Sequence, residues 1–330
     1  MFFDRPTVTV FRYSLRIIGL ALAAIPSLAG ATFSIVACDQ AGNCGAAVAT
    51  NNLAVGASVP YAQARVGALV SQFETNPHYG AQGLALLAAG RSPDATLKAL
   101  LDGDGNFDGS TIAERQVGIV DAKGRSAIYT GAEAAHALWA GAEHGDGYAV
   151  QGNGLAGAQV LAAMKNAFAS SPGTLAERLM TALEAGQNAG GQTTGKLSAA
   201  LIVRTTEGDW QDVDLRVDAS VEPLRDLRQL VERHYALQAI IRAERLAKKG
   251  ASADARASLS EALRRSYGWD RIWRRAARLA MEMGDGDRAM DYLGVFLSIN
   301  PVWANTELRD DIYRPLRERT LFKTWSRRGN

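Results

Sequence analysis

Apolar positions repeat with two different periods along the chain, one up to about residue 220 and another beyond it. In the first part, short runs rich in β-branched and apolar residues are bounded by Gly, Asn, Asp and Pro, which is typical of antiparallel strands joined by turns. Two pairs of segments with helical spacing interrupt these runs. Grouped helices beside antiparallel hairpins predict an α+β domain in which helices cover two packed sheets. We predict strands at 32–38, 45–50, 55–60, 66–71, 116–121, 126–130, 148–153, 197–204 and 210–217, and helices at 81–89, 93–101, 157–169 and 174–186.

The second part, residues 221–330, has helical spacing throughout and begins with a long helix predicted at 224–249. Gly250 and Gly284 lie 34 residues apart, and aligning them superimposes alanine and leucine positions in the segments that follow. A period of this length built from paired helices resembles the tetratricopeptide repeat, in which Pro301 would follow the last helix. Since only about two units are visible, we expect these helices to pack on the first domain or to bind a partner protein.

The two parts carry opposite net charge, although the whole chain has a formal net charge of only +2. Residues 32–220 contain 11 Lys and Arg against 18 Asp and Glu, a balance of −7, whereas residues 221–330 contain 22 against 15, a balance of +7. Either the two faces attract each other across a domain interface, or a basic module binds an acidic partner or a membrane surface. We favour the first interpretation, because the basic residues are interleaved with Asp and Glu.

The first 31 residues have the three parts of a secretion signal. Three arginines precede an apolar run at 17–25, Pro26 ends that run, and Ala29 and Ala31 form the small-residue pattern that signal peptidase requires. A membrane anchor is the alternative, but the run is much shorter than the roughly 20 residues that a spanning helix needs. We therefore predict a signal peptide at 1–31, cleavage after Ala31, a periplasmic or secreted protein, and no stable membrane span.

Cleavage after Ala31 makes Thr32 the first residue of the mature chain as well as the first residue of a predicted strand. A free α-amine and a hydroxyl then share one residue, and such an amine can act as the base for its own hydroxyl. The amine must be neutral for this role, and its reference pKa of about 7.7–8.0 is close to neutral pH. Thr32 is therefore the candidate nucleophile of a hydrolase. The alternative is a β-branched residue that only starts a strand.

Cys38 and Cys44 are the only cysteines, and they flank a turn-rich pentad at 39–43. Because an exported protein enters an oxidising compartment, we predict a disulfide across this hairpin, with two buried thiols as the alternative. The spacing does not resemble a zinc site, and the aspartate-rich loop at 102–106 lacks the glutamate that closes a calcium loop, so we assign that loop as a turn. We predict no metal and no cofactor, since the sequence has no phosphate loop and no dinucleotide fingerprint.

Five motifs, in this order, resemble one protein family. They are Thr32-Phe33-Ser34-Ile35-Val36-Ala37-x-Asp39, Gly45-Ala46-Ala47-Val48-Ala49, Asn76-Pro77-x-Tyr79-Gly80, Tyr148-x-Val150-Gln151-Gly152-Asn153 and Gly195-Lys196-x-Ser198-Ala199-Ala200-Leu201. The family is the uncharacterised domain-of-unknown-function family ten-twenty-eight, which is placed in the N-terminal-nucleophile (Ntn) hydrolase superfamily. The resemblance covers roughly residues 32–220 and implies a four-layer αββα fold. It implies an amide-bond hydrolase by superfamily analogy.

Four further residues are candidates for the site around Thr32. A tetrahedral oxyanion needs fixed donors, and the Gly152 N–H and the Asn153 side chain lie on a predicted turn after a strand. Lys196 could lower the pKa of the Thr32 amine through like-charge repulsion, and Ser198 could orient that amine. The structural alternatives are a turn that needs Gly and Asn for backbone reasons, a solvated strand-end lysine and a polar strand residue.

Two functional hypotheses follow for an Ntn-hydrolase-like α+β domain at 32–220 joined to an all-α helical-repeat domain at 221–330. The first is an exported N-terminal threonine amidohydrolase or peptidase-like enzyme that acts on a peptide or another amide-containing small molecule. The second is a non-catalytic envelope protein that uses the same fold and its repeat helices to bind or scaffold other proteins. We expect no nucleic-acid partner, and a homo-oligomer is left open.

Overall fold

The computed structural model describes residues 31–136 and 138–328. The predicted signal peptide lies outside the described residues, apart from Ala31. In chain order the strands are β1 (Thr32–Cys38), β2 (Cys44–Thr50), β3 (Pro60–Gln63), β4 (Gly67–Phe73), β5 (Arg115–Asp121), β6 (Ser126–Thr130), β7 (Trp139–Gly145), β8 (Tyr148–Leu155), β9 (Ser198–Arg204) and β10 (Val213–Val217).

The two predicted pairs of helices are present in the first part of the chain, and helices make up the described chain from Pro223 onward. The helices are α1 (His78–Ala88), α2 (Pro93–Asp102), α3 (Ala132–Ala135), α4 (Gln159–Ser170), α5 (Leu175–Asn188), α6 (Pro223–Lys248), α7 (Ser252–Arg265), α8 (Asp270–Glu282), α9 (Gly286–Ile299), α10 (Pro301–Glu307) and α11 (Thr320–Arg328). Among the described residues, no helix has both the length and the apolar character needed to cross a bilayer.

Two antiparallel sheets pack face to face. Sheet A has the strand order β10-β9-β2-β1-β8-β7, and sheet B has the order β3-β4-β5-β6. Helices α4 and α5 pack on the outer face of sheet A, and α1 and α2 pack on the outer face of sheet B. This arrangement confirms the predicted α+β class with antiparallel sheets and a helical C-terminal region.

The central strand β1 illustrates how alternation builds the layers. Phe33 and Ile35 belong to the apolar core shared with α4 and α5, whereas Val36 and Cys38 belong to the core between the two sheets. Successive side chains of a strand point to opposite faces, and both faces of β1 are buried. Thr32 therefore points, like Val36, into the space between the sheets.

The predicted disulfide is confirmed. Cys38 and Cys44 face each other at the end of the β1–β2 hairpin, and a disulfide joins them with their Cα atoms 4.1 Å apart. The bridge closes the hairpin at the end of β1 opposite Thr32.

Some local predictions were wrong or incomplete. The segment predicted as a strand at 55–60 forms a 3-10 turn at Val55–Ala57, where the Val55 N–H donates to Ser198 Oγ over 3.1 Å, and strand pairing begins only at Pro60. Strand β7 was not predicted, since its sequence has no β-branched residue and its order comes from its pairing with β8. Pro301 does not follow the last helix but begins α10, with Asn300 Oδ1 accepting from the Trp303 N–H at the N-cap.

Helix α6 connects the two parts of the chain. Its first half contributes Leu224 and Leu227 to the core on sheet A, and its second half contributes Ala239 and Ile240 to the core of the helical region. This one helix therefore belongs to both cores and links the mixed α+β part to the helical part.

Ion pairs accompany the packing of the helical region on α5. Arg228 of α6 donates to Glu184 over 2.8 Å, and Arg265 of α7 pairs with Glu177 over 2.7 Å. Both arginines come from the basic part and both glutamates from the acidic part, which agrees with attraction across an internal interface.

Candidate functional site

One row of facing residues crosses four neighbouring strands at one end of sheet A. Thr32 of β1 faces Asn153 of β8 on one side and Thr50 of β2 on the other, and Thr50 faces Ser198 of β9. Facing residues of antiparallel strands project from the same side of a sheet, so these four side chains all point towards sheet B. None of the four is more than 4 % exposed.

The polar atoms of Thr32 have defined neighbours in the uncut chain. Its N–H donates to Asn153 Oδ1 over 3.2 Å, and its Oγ1 lies 3.0 Å from Thr50 Oγ1. The Thr50 hydroxyl donates to the carbonyl oxygen of Ala31 over 2.8 Å. The carbonyl oxygen of Thr32 accepts from Gln72 Nε2 over 3.3 Å. The first strand residue is thus held by contacts from three other strands.

Three buried side-chain carboxamides meet beside Thr32. Gln116 Oε1 accepts from Gln72 Nε2 over 2.8 Å and from Asn153 Nδ2 over 3.0 Å. Gln116 Nε2 donates to the carbonyl oxygen of Gly152 over 3.0 Å. Gln72 and Gln116 belong to sheet B and Asn153 to sheet A, so this network links the two sheets across the inner face.

The structure brings Asn153 to Thr32 but gives Gly152 a different local setting from the predicted one. Strand β8 continues to Leu155, so both residues lie within the strand and not on a turn that follows it. Gly152 faces Phe33 in the β1–β8 register. The Asn153 side chain uses its oxygen towards Thr32 and its nitrogen towards Gln116.

Lys196 and Ser198 have contacts that organise the surroundings of the row. Lys196 Nζ pairs with Glu222 over 2.6 Å, and both side chains are partly exposed. Ser198 Oγ donates to the carbonyl oxygen of Asn52 over 2.6 Å and accepts from the Val55 N–H. Ser198 therefore fixes the segment that follows Thr50.

Thr50, Gln72 and Gln116 were not identified from the sequence. Each is a buried polar residue in a strand whose other inward positions are mostly apolar or small. A polar residue at an inward-facing strand position indicates a buried hydrogen-bond network, because buried polar groups need hydrogen-bond partners. Their convergence on Thr32 depends on strand register and on the pairing of two sheets, which the sequence does not show.

A second buried polar cluster lies at the loop that was assigned as a simple turn. The Asp104 carboxylate accepts from Tyr79 Oη over 2.6 Å, from Asn76 Nδ2 over 3.1 Å and from Arg115 Nε over 3.0 Å. Burial alone would raise the pKa of Asp104, but hydrogen bonds from these three residues outweigh burial and hold that pKa below its usual value. Burial and the bond to Asp104 raise the pKa of Tyr79.

This cluster gives the motif residues Asn76 and Tyr79 a structural role. Arg115 is 1 % exposed and also donates to the carbonyl oxygens of Glu74 and Phe107. It therefore joins the start of β5 to the loop before α1 and the loop after α2. In the described part of the chain, no group of three His, Cys, Asp or Glu side chains is arranged to hold a metal ion.

A cavity of about 730 Å³ lies at the disulfide end of the first part. Its lining includes Cys38, Asp39, Lys123, Asp146 and Arg178. Cys38 is the last residue of β1 and Thr32 is the first, so this cavity and the Thr32 row are at opposite ends of the strand.

A protein-family model matches the part of the chain that carries the Thr32 row. The chain belongs to DUF1028, a family of unknown function whose model matches residues 32–227. A similar solved structure is the crystal structure of protein SPO2555 from Silicibacter pomeroyi, described with the same family model. It is 33% identical, with a TM-score of 0.55, and the match covers 61% of this chain and 85% of that chain. No curated protein matches the chain.

Proposed function

We propose that this protein is an exported Ntn-type hydrolase that cleaves an amide bond with Thr32 as its nucleophile. The order helices, sheet, sheet, helices supports the four-layer αββα assignment. Thr32 is the first residue of the central strand β1, and the family match begins at the same residue. Under this proposal, export produces the nucleophile, because cleavage after Ala31 leaves Thr32 with a free α-amine.

The observation that carries the proposal is the placement of both reactive atoms of Thr32 in one polar row. The nitrogen that becomes the α-amine lies 3.2 Å from Asn153 Oδ1, and the hydroxyl oxygen lies 3.0 Å from Thr50 Oγ1. Such neighbours can hold an amine and a hydroxyl in a fixed mutual orientation, which lowers the entropic cost of reaction.

The proposed chemistry uses the amine as a proton carrier. The amine takes the proton of the Thr32 hydroxyl while Oγ1 bonds to the substrate carbonyl carbon. The same proton passes to the substrate nitrogen as the C–N bond breaks, which leaves an ester on Thr32. A water molecule then hydrolyses this ester by the same sequence and restores the hydroxyl.

The burial of Thr32 in the uncut chain fits a nucleophile that maturation uncovers. Thr32 is 4 % exposed and Ala31 is 1 % exposed. Removing Ala31 takes away a neighbouring residue and also the carbonyl oxygen to which the Thr50 hydroxyl donates. In the mature chain, Thr50 can direct that hydrogen bond to Thr32 or to a substrate.

The other predicted residues take more limited roles. Asn153 holds the amine, and the Gly152 N–H stays the main-chain candidate for an oxyanion donor. Ser198 supports the segment after Thr50. Lys196 pairs with Glu222, both side chains are partly exposed, and we assign Lys196 to the outer edge of the site. The helical region at 221–330 is proposed as a tetratricopeptide-like module that binds a protein or peptide partner.

The test begins with the terminus of the exported protein. The chain is expressed with its own leader, and the periplasmic and secreted fractions are analysed by intact mass and N-terminal sequencing. We expect a mature chain that starts at Thr32. A mature chain that starts at another residue refutes the proposed nucleophile.

The second step is covalent labelling with a β-lactone probe, with the modified residue mapped by mass spectrometry. We expect acylation at Thr32 in the mature wild type and in Thr32→Ser, and none in Thr32→Ala. Thr324→Ala is the matched control, because Thr324 is an exposed threonine on α11. A folded, correctly matured wild type that the probe does not acylate at Thr32 contradicts the proposal.

The second candidate is a non-catalytic envelope protein. The low exposure of Thr32 and the closed hydrogen-bond network around it also suit a purely structural end of the sandwich. Absence of labelling at Thr32, together with a stable partner that is captured by the wild type and lost from a variant altered in 221–330, favours this candidate.

A further inference from the structure

The network beside Thr32 consists of three carboxamides with no exposed surface. Gln72, Gln116 and Asn153 are each 0 % exposed. A carboxamide has a donor end and an acceptor end, and exchanging the two ends reverses each hydrogen bond that it makes. The orientation of these groups therefore decides whether Thr32 meets a donor or an acceptor.

The main chain fixes the orientation of Gln116. Its Nε2 lies 3.0 Å from the carbonyl oxygen of Gly152 and 3.3 Å from that of Gly141. Carbonyl oxygens only accept hydrogen bonds, so the NH₂ end of Gln116 must face them. Its oxygen must then face the other two carboxamides.

The orientation of Asn153 follows from that of Gln116. Gln116 Oε1 can only accept, so Asn153 presents its NH₂ end to it over 3.0 Å. The oxygen of Asn153 then faces the Thr32 nitrogen over 3.2 Å. The reversed orientation would place two oxygens together in a buried site and leave the NH₂ end of Asn153 against the Thr32 nitrogen, which buried polar groups avoid.

We propose that Gln116 is a positioning residue that keeps the oxygen of Asn153, and not its nitrogen, towards the terminal amine of Thr32. This inference rests on the proposed function. An oxygen at this position accepts one N–H of the amine and leaves the amine lone pair available for the Thr32 hydroxyl proton. A nitrogen at this position would donate to the lone pair and occupy the base.

The orientation of Asn153 affects the pKa of the terminal amine whether or not the protein turns over a substrate. An acceptor beside the amine stabilises its protonated form, whereas a donor stabilises its neutral form. Gln116→Met keeps similar bulk but removes the acceptor that orients Asn153. Burial keeps the side chain of Gln116→Glu protonated, so that its O–H donates to the carbonyl oxygen of Gly152 and its other oxygen still accepts from Asn153. This is therefore the conservative variant that should restore the orientation.

The experiment titrates the α-amine in chains whose first residue is Thr32, prepared by removal of a cleavable N-terminal tag. The chains carry ¹³C-labelled threonine, and the Cα and Cβ chemical shifts of Thr32 are followed by NMR against pH. In Gln116→Met we expect a midpoint that is lower than in the wild type by about one pH unit, and in Gln116→Glu a midpoint that is not lowered. Gln192→Met is the matched control, because Gln192 is another buried glutamine that donates to a main-chain carbonyl, that of Ala49.

A second variant reads the orientation of Asn153 directly and covers the case in which Gln116→Met does not fold. If the oxygen of Asn153 faces the amine, Asn153→Leu removes an acceptor and lowers the midpoint. If the nitrogen faces the amine, the same variant removes a donor and raises the midpoint. A raised midpoint overturns the inference, as does an unchanged midpoint in a folded Gln116→Met.

The acylation rate with the β-lactone probe separates this inference from the proposed function. We expect a rate at least about 10-fold lower in Gln116→Met, as for the loss of an oriented base, and recovery in Gln116→Glu. If the wild type is not acylated, the proposed function fails, while the titration still decides the orientation of Asn153. An unchanged rate and midpoint with only a lower thermal midpoint would show a merely structural role for Gln116.

Discussion

Replacing Arg115 by methionine should destabilise the protein strongly, because its guanidinium is the buried centre of the cluster around Asp104. Arg115 is 1 % exposed and donates through Nε and Nη2 to the Asp104 carboxylate. It also donates to main-chain carbonyls of Glu74, Phe107 and Ser110. Methionine removes all of these donors and leaves the carboxylate in place.

The magnitude follows from the burial of the remaining charge. Asp104 is 7 % exposed and would keep only the hydrogen bonds from Tyr79 and Asn76. Removing one partner of a buried ion pair typically costs about 3–5 kcal/mol. We therefore expect Arg115→Met to lower the free energy of unfolding by about 4 kcal/mol.

Urea unfolding followed by far-UV circular dichroism measures this loss. For a domain of this size, about 4 kcal/mol corresponds to a thermal midpoint lower by about 10 °C. Lys98→Met is the control, since the Lys98–Asp102 pair has side chains that are 75% and 62% exposed, and such pairs contribute less than about 1 kcal/mol. A loss below about 1 kcal/mol in Arg115→Met would refute the argument from desolvation.

Three further predictions concern the same region, the site and the hairpin. The pKa of Asp104 is lowered in the folded chain. The ionised Asp104 therefore stabilises the fold fully above its unfolded-state pKa of about 3.9, and this contribution is lost as pH falls through the folded-state pKa. In Asp104→Asn, the urea midpoint should therefore decrease less steeply with falling pH below about pH 4 than in the wild type. Thr50→Val should lower the rate of lactone labelling at Thr32 by about 10-fold or more, because it removes the hydroxyl next to Thr32 Oγ1. Thr50→Ser should restore the rate. A rate in Thr50→Val equal to that of the wild type would show that Thr50 has no part in the mechanism. Replacing Cys38 and Cys44 together by alanine should lower the unfolding free energy by about 2 kcal/mol under oxidising conditions and leave no further effect of reductant.

Alternation and turn chemistry are local properties, and the elements that depend on them were predicted well. Helix α2 begins at Pro93, as predicted, and Ser92 caps it by accepting a hydrogen bond from the Ala95 N–H. The β5–β6 hairpin likewise forms where two runs of strand-forming residues flank a short polar turn. In contrast, the 3-10 turn at Val55–Ala57 depends on Ser198, which is distant in sequence. Strand β7 has no β-branched residue and is ordered by its pairing with the following strand β8.

The local sequence of a loop need not reveal its structural role, as the cluster around Asp104 shows. The segment 102–106 has the composition of an ordinary turn, and only its contact with Tyr79 and Arg115 turns Asp104 into a buried ion. Polar residues near a loop are usually solvated, so composition favours the simpler assignment. The hydrogen-bond distances to Tyr79 and Arg115 show instead that Asp104 is buried and ion-paired.

By itself, the sequence determined the α+β class, the disulfide pair and the family, because periodicity, cysteine count and ordered motifs are all local properties of the chain. Only the tertiary structure decided which side chains surround Thr32. Thr50, Gln72 and Gln116 come from three strands in two sheets, and their side chains meet because register and sheet packing align them. A shift of one residue in a strand would point its side chains to the opposite face, and no local pattern fixes that alignment.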